Sequence, residues 1–176
     1  MLIRALKELG EETPVSLTLV GDGKYRPALE ELAAQLGVSG RITFTGWVSR
    51  QEMKMFYAES DVVVAPTLNV EPLGMVAIEA MSVGRPVIAS RRGGFLETVV
   101  DGATGILFEP GDHQALAWAV QRLAYDRNLR IEMGNAGSKR RKERFSAAWS
   151  AQAFIDFYKK VSKGQGCTRT FSRGET

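Results

Sequence analysis

The stretch that most constrains the fold is residues 61–90, where two short apolar runs enclose an apolar helix. Residues 62–64 are three valines, which predict a buried strand that Pro66 ends. Residues 75–81 are apolar at nearly every position, which predicts a helix buried on all sides in a core. A second apolar run at 87–89 predicts another buried strand. The stretch is therefore predicted to form a βαβ unit.

Two carboxylates lie within this unit. Glu71 precedes the predicted helix, and Glu79 interrupts its apolar surface about one and a half turns in. A buried carboxylate is costly unless it is paired or hydrogen-bonded, so Glu79 is a candidate functional residue. The loop at residues 71–74 also brings free backbone N–H groups to a helix N-terminus, where an anion such as phosphate binds well.

The pair Glu71 and Glu79, with seven residues between them, resembles the E-x7-E motif of the group 1 (family 4) retaining glycosyltransferases. That motif belongs to the C-terminal, nucleotide-sugar-binding domain of these enzymes. Other similar segments follow in order between residues 2 and 161, including VGDG before a helix and Gly-Gly-x-x-E at 93–97. The resemblance implies one half of a GT-B architecture that binds a nucleoside-diphosphate sugar, such as a UDP-, GDP- or ADP-sugar. It also implies transfer with retention, without a cofactor or a metal held by the protein.

The resemblance further assigns roles to residues. Glu71 would contact the donor sugar as the catalytic candidate, and Glu79 would bind the ribose. The helix N-terminus would stabilise the departing diphosphate. Further donor contacts would come from Leu73, Gly74, Met75, Val76, Gly21, Gly23, Trp47, Val48 and Gly94. Leu73 stands where the family usually has Phe. For Trp47 we favour a packing role over stacking on the base, because loop tryptophans usually anchor packing.

Five predicted strands, at residues 15–20, 41–45, 62–65, 87–89 and 105–108, alternate with helices. This alternation predicts a Rossmann-like α/β fold, an open and mostly parallel sheet with helices on both faces. Ligands of such sheets bind at the carboxyl ends of the strands. Gly21, Gly46, Glu71 and Gly93 all follow strands, which favours one shared site. We expect one domain over residues 1–162 and a flexible tail over 163–176.

Several side chains on or near the predicted helices are expected to have structural rather than functional roles. Ser49 and Glu52 form a capping box, and Phe56 and Tyr57 after it are predicted to be core residues. His113 is predicted to be a surface residue beside a helix cap. Arg91 and Arg92 are predicted to be a solvated loop pair.

A helix is predicted over residues 128–144, with Gly134 and Gly137 as candidate break points. The basic run 139–144 at its end is predicted to be a solvated helix face, with membrane-surface contact as the less favoured alternative.

Composition excludes several classes of function. The chain has 176 residues and a net charge of +3, and no motif for nucleic acid accompanies its basic character. It contains no apolar run of membrane-spanning length. Its single cysteine cannot form an internal disulfide, which favours a cytoplasmic setting. No metal-ligand spacing, P-loop lysine or nucleophile elbow is present.

The sequence departs from the family pattern at its beginning. The family's domain starts with a strand and a loop whose Arg and Lys grip the diphosphate, and an acceptor-binding domain precedes it. We expect the absent strand to belong between the strands at 15–20 and 62–65, and we expect the isolated chain to be inactive. Two alternatives remain open: a nucleotide-sugar-binding partner module without activity of its own, and a sugar-nucleotide epimerase.

Overall fold

The computed structural model describes residues 1–163 and divides the chain into two compact units, residues 1–141 and residues from 142 onward. The five strands are β1 (Leu17–Val20), β2 (Ile42–Gly46), β3 (Val63–Ala65), β4 (Val87–Ser90) and β5 (Gly105–Phe108). The helices are α1 (Leu2–Glu8), α2 (Arg26–Gln35), α3 (Arg50–Glu59), α4 (Met75–Ser82), α5 (Phe95–Thr98), α6 (His113–Tyr125), α7 (Arg127–Arg144) and α8 (Ala147–Ser162), and a 3-10 turn covers Ser39–Arg41.

The strands form two parallel sheets. β1 pairs with β2, and β4 lies between β3 and β5. Within residues 1–163 no ladder joins β1 to β3, so each of these strands has one edge outside a sheet. The α/β class and the parallel pairing were predicted correctly. The break between the two sheets falls between β1 and β3, where the sequence analysis expects a further strand of the family.

The residues of β4 alternate between two hydrophobic clusters. Val87 and Ala89 belong to the cluster that contains residues of α4 and α5, such as Met81 and Phe95. Ile88 belongs to the cluster that contains residues of α1 and α6. Helices therefore cover both faces of β4, all four residues of which are buried, as a central strand of a parallel sheet requires.

α7 is continuous through Gly134 and Gly137, so neither candidate break point interrupts it. A Cβ at Gly134 would lie 2.1 Å from the carbonyl oxygen of Gly84, and one at Gly137 would lie 3.0 Å from Met81 Cγ. The glycines thus permit α7 to approach the end of α4 closely. Arg140, in the basic run, donates to the carbonyl oxygen of Thr98 at 2.9 Å, so the run is not simply a solvated face.

In the second unit, the Ser146 hydroxyl accepts a hydrogen bond from the Trp149 N–H and caps α8. Several large apolar side chains of α8 are exposed, among them Phe154, Ile155 and Tyr158. No helix within residues 1–163 is both long enough and apolar enough to cross a membrane. The predicted tail lies, beyond residue 163, outside the described residues.

Candidate functional site

The N-terminus of α4 is uncovered. Gly74 precedes the helix with a φ of +76°, which favours glycine, and a Cβ there would lie 2.8 Å from the ring of Phe95. Ala77 is the first helical residue whose N–H bonds backward, to the Gly74 carbonyl oxygen. The N–H groups of Met75 and Val76 have no hydrogen-bond partner among residues 1–163. Two adjacent donors therefore point out of a helix N-terminus, an arrangement that binds anions.

The exposure of this first turn corrects the prediction of a helix buried on all sides. Met75 is 49% exposed and Val76 is 37% exposed, whereas Ala77, Ala80 and Met81 are fully buried. The sequence pattern missed this difference, because an apolar residue that is exposed looks the same in sequence as an apolar residue of a core.

Glu71 lies at the same helix end. Its Oε1 atom accepts a hydrogen bond from the Gly74 N–H at 3.2 Å, and its carbonyl oxygen accepts one from the Gly94 N–H at 2.6 Å. A Cβ at Gly93 would lie 2.4 Å from the Glu71 carbonyl oxygen, and one at Gly94 would lie 2.4 Å from the Leu73 backbone. The two glycines therefore allow the loop after β4 to lie directly against the loop that carries Glu71.

The two arginines of that second loop are structural, which corrects the prediction of a solvated pair. Arg92 Nη1 donates to the Leu68 carbonyl oxygen at 3.0 Å and so holds the loop after β3. Arg91 pairs with Asp101, and with Glu109 at 3.3 Å. Burial raises the pKa of Asp101, but the hydrogen bonds from the Leu107 N–H and from Arg91 outweigh it and hold that pKa below its usual value.

Glu79 is held by a residue that sequence reasoning assigned only to the core. The Tyr57 hydroxyl donates to Glu79 Oε2 at 2.8 Å, and both side chains are partly buried. Burial and this bond to a carboxylate raise the pKa of Tyr57, so the phenol stays protonated and remains a donor. Two signals could have predicted the pair: a tyrosine on an inward helix face needs a partner for its hydroxyl, and a carboxylate among apolar residues needs a donor.

The loops after β1 and β2 meet at a second place. The Gly21 N–H donates to the Gly46 carbonyl oxygen at 3.0 Å, and Asp22 Oδ1 accepts from the Gly23 N–H at 2.7 Å. A cleft of about 280 Å³ opens here, lined in part by Gly21, Gly23 and residues of α2. Trp47 is 79% exposed, so the prediction that it anchors packing is wrong.

The predicted site residues fall into three groups by contact. Gly74 and Gly94 both donate to Glu71, Gly21 and Gly23 line the cleft, and Glu79 bonds to Tyr57. His113 faces Glu8, with Nε2 3.5 Å from a carboxylate oxygen, and is a surface residue as predicted. No cluster of three or more His, Cys, Asp or Glu side chains suited to a metal occurs within residues 1–163.

Comparison with known proteins identifies the family. The model of "Glycosyl transferases group 1" matches residues 1–140. The chain is 40% identical over 144 residues, 78% of its length, to a GDP-mannose-dependent alpha-(1-6)-phosphatidylinositol monomannoside mannosyltransferase of Mycolicibacterium smegmatis. It is 36% identical over 158 residues, 90% of its length, to an uncharacterised glycosyltransferase of Methanocaldococcus jannaschii. It spans about two fifths of the length of these relatives, 38% of the first and 40% of the second.

Solved structures share the fold. HepE of Anabaena, crystallised with UDP, superimposes with a TM-score of 0.83 at 29% identity, over 90% of this chain and 44% of that one. The C-terminal domain of a group 1 glycosyltransferase from Francisella tularensis superimposes with a TM-score of 0.74 at 26% identity, over 82% of this chain and 77% of that one. These matches favour the glycosyltransferase interpretation over the partner-module and epimerase alternatives. Because the family model matches residues 1–140, the chain belongs to the group 1 glycosyltransferases.

Proposed function

We propose that the protein binds the nucleoside-diphosphate sugar of a retaining glycosyl transfer, at the carboxyl ends of its strands. The observation that carries this proposal is the uncovered N-terminus of α4, with two unpaired N–H groups between two carboxylates. Phosphate oxygens are strong acceptors, and the helix dipole favours their negative charge. As the glycosyl group leaves, charge grows on the diphosphate, and donors that are already oriented stabilise it without reorganising.

In this proposal Glu71 binds the sugar end of the donor and Glu79 binds its ribose. Glu71 precedes the helix and bonds to its first turn, so it is placed to accept hydrogen bonds from hydroxyls of the sugar. Glu79 lies one turn further along α4, where it would accept hydrogen bonds from ribose hydroxyls. The loop at Trp47 and Val48 would contact the base, and the exposure of the Trp47 ring supports this assignment over packing.

The names of similar proteins support the donor class and leave its base open. The mycobacterial relative is named for GDP-mannose, whereas HepE of Anabaena was crystallised with UDP and with UDP-glucose. We therefore infer a nucleoside-diphosphate sugar as the donor. We also infer that transfer requires an acceptor-binding domain in addition to residues 1–163, since the relatives are more than twice as long.

Membrane contact is a further part of the proposal. Lys139, Lys142 and Arg144 are exposed on α7, and the mycobacterial relative is named for a phosphatidylinositol substrate. Basic residues near an anionic bilayer contribute about 1 kcal/mol each to binding. Cosedimentation with vesicles of phosphatidylcholine and phosphatidylserine, compared with vesicles of phosphatidylcholine alone, tests this part. Equal binding to both would contradict it.

The central experiment is a thermal-shift panel of UDP-glucose, GDP-mannose and ADP-glucose against this chain. A ligand that binds only the folded state raises the melting temperature as its concentration rises. We expect one of the three to do so and inorganic phosphate at the same concentration to have a smaller effect. If all three leave the melting temperature unchanged at millimolar concentration, the donor-binding proposal is wrong.

A further inference from the structure

Two contacts hold α3 beside α4. The Tyr57 hydroxyl donates to Glu79 Oε2 at 2.8 Å, and Arg85, in the turn just past the end of α4, donates to the carbonyl oxygen of Ala58, the residue after Tyr57. The first contact joins side chains 22 residues apart in sequence, so only the tertiary fold brings them together. Because Arg85 and Tyr57 bond to different parts of neighbouring elements, the two helices are fixed side by side at the level of Glu79.

The Tyr57 bond restricts a side chain that would otherwise be flexible. A glutamate has three rotatable side-chain bonds, and its carboxylate rotates broadly about the last of them. A donor fixed on Oε2 selects one orientation, and Oε1 keeps its lone pairs, with no hydrogen-bond partner among residues 1–163. An acceptor fixed in advance binds a hydroxyl with a smaller loss of entropy than one that must be ordered on binding.

We propose that Tyr57 is a positioning residue for nucleotide recognition: its hydroxyl holds the Glu79 carboxylate so that Oε1 can accept hydrogen bonds from ribose hydroxyls. This inference rests on the proposed function, which assigns Glu79 to the ribose. Tyr57 itself would not touch the nucleotide. Its contribution is therefore specific to ligands that carry ribose hydroxyls.

The other end of α3 extends the inference to the base. α3 begins directly after the loop of Trp47 and Val48, and there the Ser49 and Glu52 side chains form a capping box. The Ser49 N–H donates to Glu52 at 2.7 Å, and the Glu52 N–H donates to the Ser49 hydroxyl at 3.2 Å. One helix of ten residues thus connects the proposed base loop to the residue that orients the ribose acid. Because a helix is rigid, the distance between the loop of Trp47 and Val48 and the Tyr57 hydroxyl stays constant.

The test compares ribonucleotides with nucleotides that lack the ribose hydroxyls. UDP, GDP and ADP, each with its 2′,3′-dideoxy counterpart, are titrated calorimetrically into the wild-type chain, Tyr57→Phe, Glu79→Gln and the double variant. Tyr57→Phe removes one oxygen and keeps the ring. Tyr125→Phe is the matched control, because the Tyr125 hydroxyl also donates, to the Glu12 carbonyl oxygen, at a distant surface.

We expect Tyr57→Phe to weaken binding of the preferred ribonucleotide roughly 3- to 10-fold and Glu79→Gln to weaken it roughly 10- to 100-fold. Binding of the dideoxy counterpart should change less than about 2-fold in either variant, since neither loses a contact to that ligand. In the double variant, loss of Tyr57 should add little to loss of Glu79, because the two act through one contact. Tyr125→Phe should match the wild type.

The outcomes separate this inference from the proposal beneath it. If the wild type binds none of UDP, GDP and ADP, both are wrong. If Glu79→Gln weakens ribonucleotide binding and Tyr57→Phe does not, the ribose assignment stands and the positioning role of Tyr57 is wrong. If Tyr57→Phe weakens both nucleotide types equally, its role is structural and the inference is overturned.

A second variant keeps the inference testable should Tyr57→Phe fail to fold. Glu79→Asp keeps the charge but withdraws the carboxylate by one methylene from the Tyr57 hydroxyl. We expect it to lose most of the preference for ribonucleotide over dideoxynucleotide. Wild-type discrimination in Glu79→Asp would show that the bond to Tyr57 is not needed.

Discussion

The two sheets differ in the burial of their strands, and therefore in how rigidly each one positions the part of the site at its edge. In the sheet of β3, β4 and β5, the residues of β4 and β5 are buried without exception, and the loops at its carboxyl edge are bonded to one another. In the sheet of β1 and β2, one residue of each strand is exposed and most of the others are only partly buried. A two-stranded sheet is marginal on its own. The acids are therefore fixed by the dense sheet, whereas the glycine loops and the cleft belong to the weaker one.

The largest expected effect on this difference between the sheets comes from a longer chain. That chain would include the strand that the family resemblance places between β1 and β3. If residues preceding Met1 in a longer chain pair with both edges, the two sheets become one. About eight new hydrogen bonds at roughly 0.5 kcal/mol each would raise the free energy of unfolding by about 4 kcal/mol. Chemical denaturation of both chains measures this difference.

The same comparison includes oligomeric state and donor affinity. Unpaired strand edges invite association, so the shorter chain should associate more and bind donors more weakly. A monomeric short chain with the stability and affinity of the longer one would show that the strand is dispensable.

Within the dense sheet, Gly94→Ala should be severely destabilising. The new Cβ would meet the Leu73 backbone at 2.4 Å, and backbone cannot move aside as a flexible side chain can. We expect a loss of about 3 kcal/mol in the free energy of unfolding, with weaker donor binding as the Glu71 loop shifts. Gly23→Ala in the weaker sheet is the control, because its Cβ meets nothing within 4 Å. Equal losses in the free energy of unfolding for Gly94→Ala and Gly23→Ala would contradict the proposed difference between the two sheets.

Glu71→Ala tests the sugar end of the donor in a full-length relative that carries the same motif. If Glu71 faces the sugar, turnover should fall about 100-fold, the loss typical of one interaction made in the transition state. Affinity for the nucleotide alone should change little, because its contacts are elsewhere. Steady-state rates and nucleotide titrations give the two quantities. Turnover at the wild-type rate would remove Glu71 from the reaction.

Met75→Pro tests the backbone donors of α4 without altering a side chain that the proposal uses. Proline fits the first helical position, where the N–H has no intrahelical partner. We expect donor affinity to fall roughly 10-fold from one lost charge-assisted hydrogen bond. Stability should also fall, because a proline ring disfavours the backbone of the preceding Gly74, whose φ is 76° and ψ is 46°. Met75→Ala keeps the N–H and should bind as the wild type does. Unchanged affinity in Met75→Pro would show that the diphosphate lies elsewhere.

The sequence predicted most of what depends on neighbouring residues. The strands at 87–89 and 105–108 were recognisable from β-branched and apolar runs, and the Ser49 cap was found from a local motif. What it missed depends on distant residues. The continuity of α7 follows from the approach of Gly134 to Gly84, and the hydrogen bond of Tyr57 follows from the position of α4. Helix propensity and periodicity contain no information about either.

The bond between Glu71 and the Gly74 N–H has a consequence for amide hydrogen exchange. In the absence of donor, the Gly74 amide is bonded while the amides of Met75 and Val76 are not, so Gly74 should exchange more slowly than its two successors. A diphosphate on those two amides would slow them. If the carboxylate turns toward the sugar at the same time, the Gly74 amide would be released and its exchange would accelerate. The order of exchange rates along three consecutive residues would then invert on binding, and the inversion would record the carboxylate moving from helix to substrate.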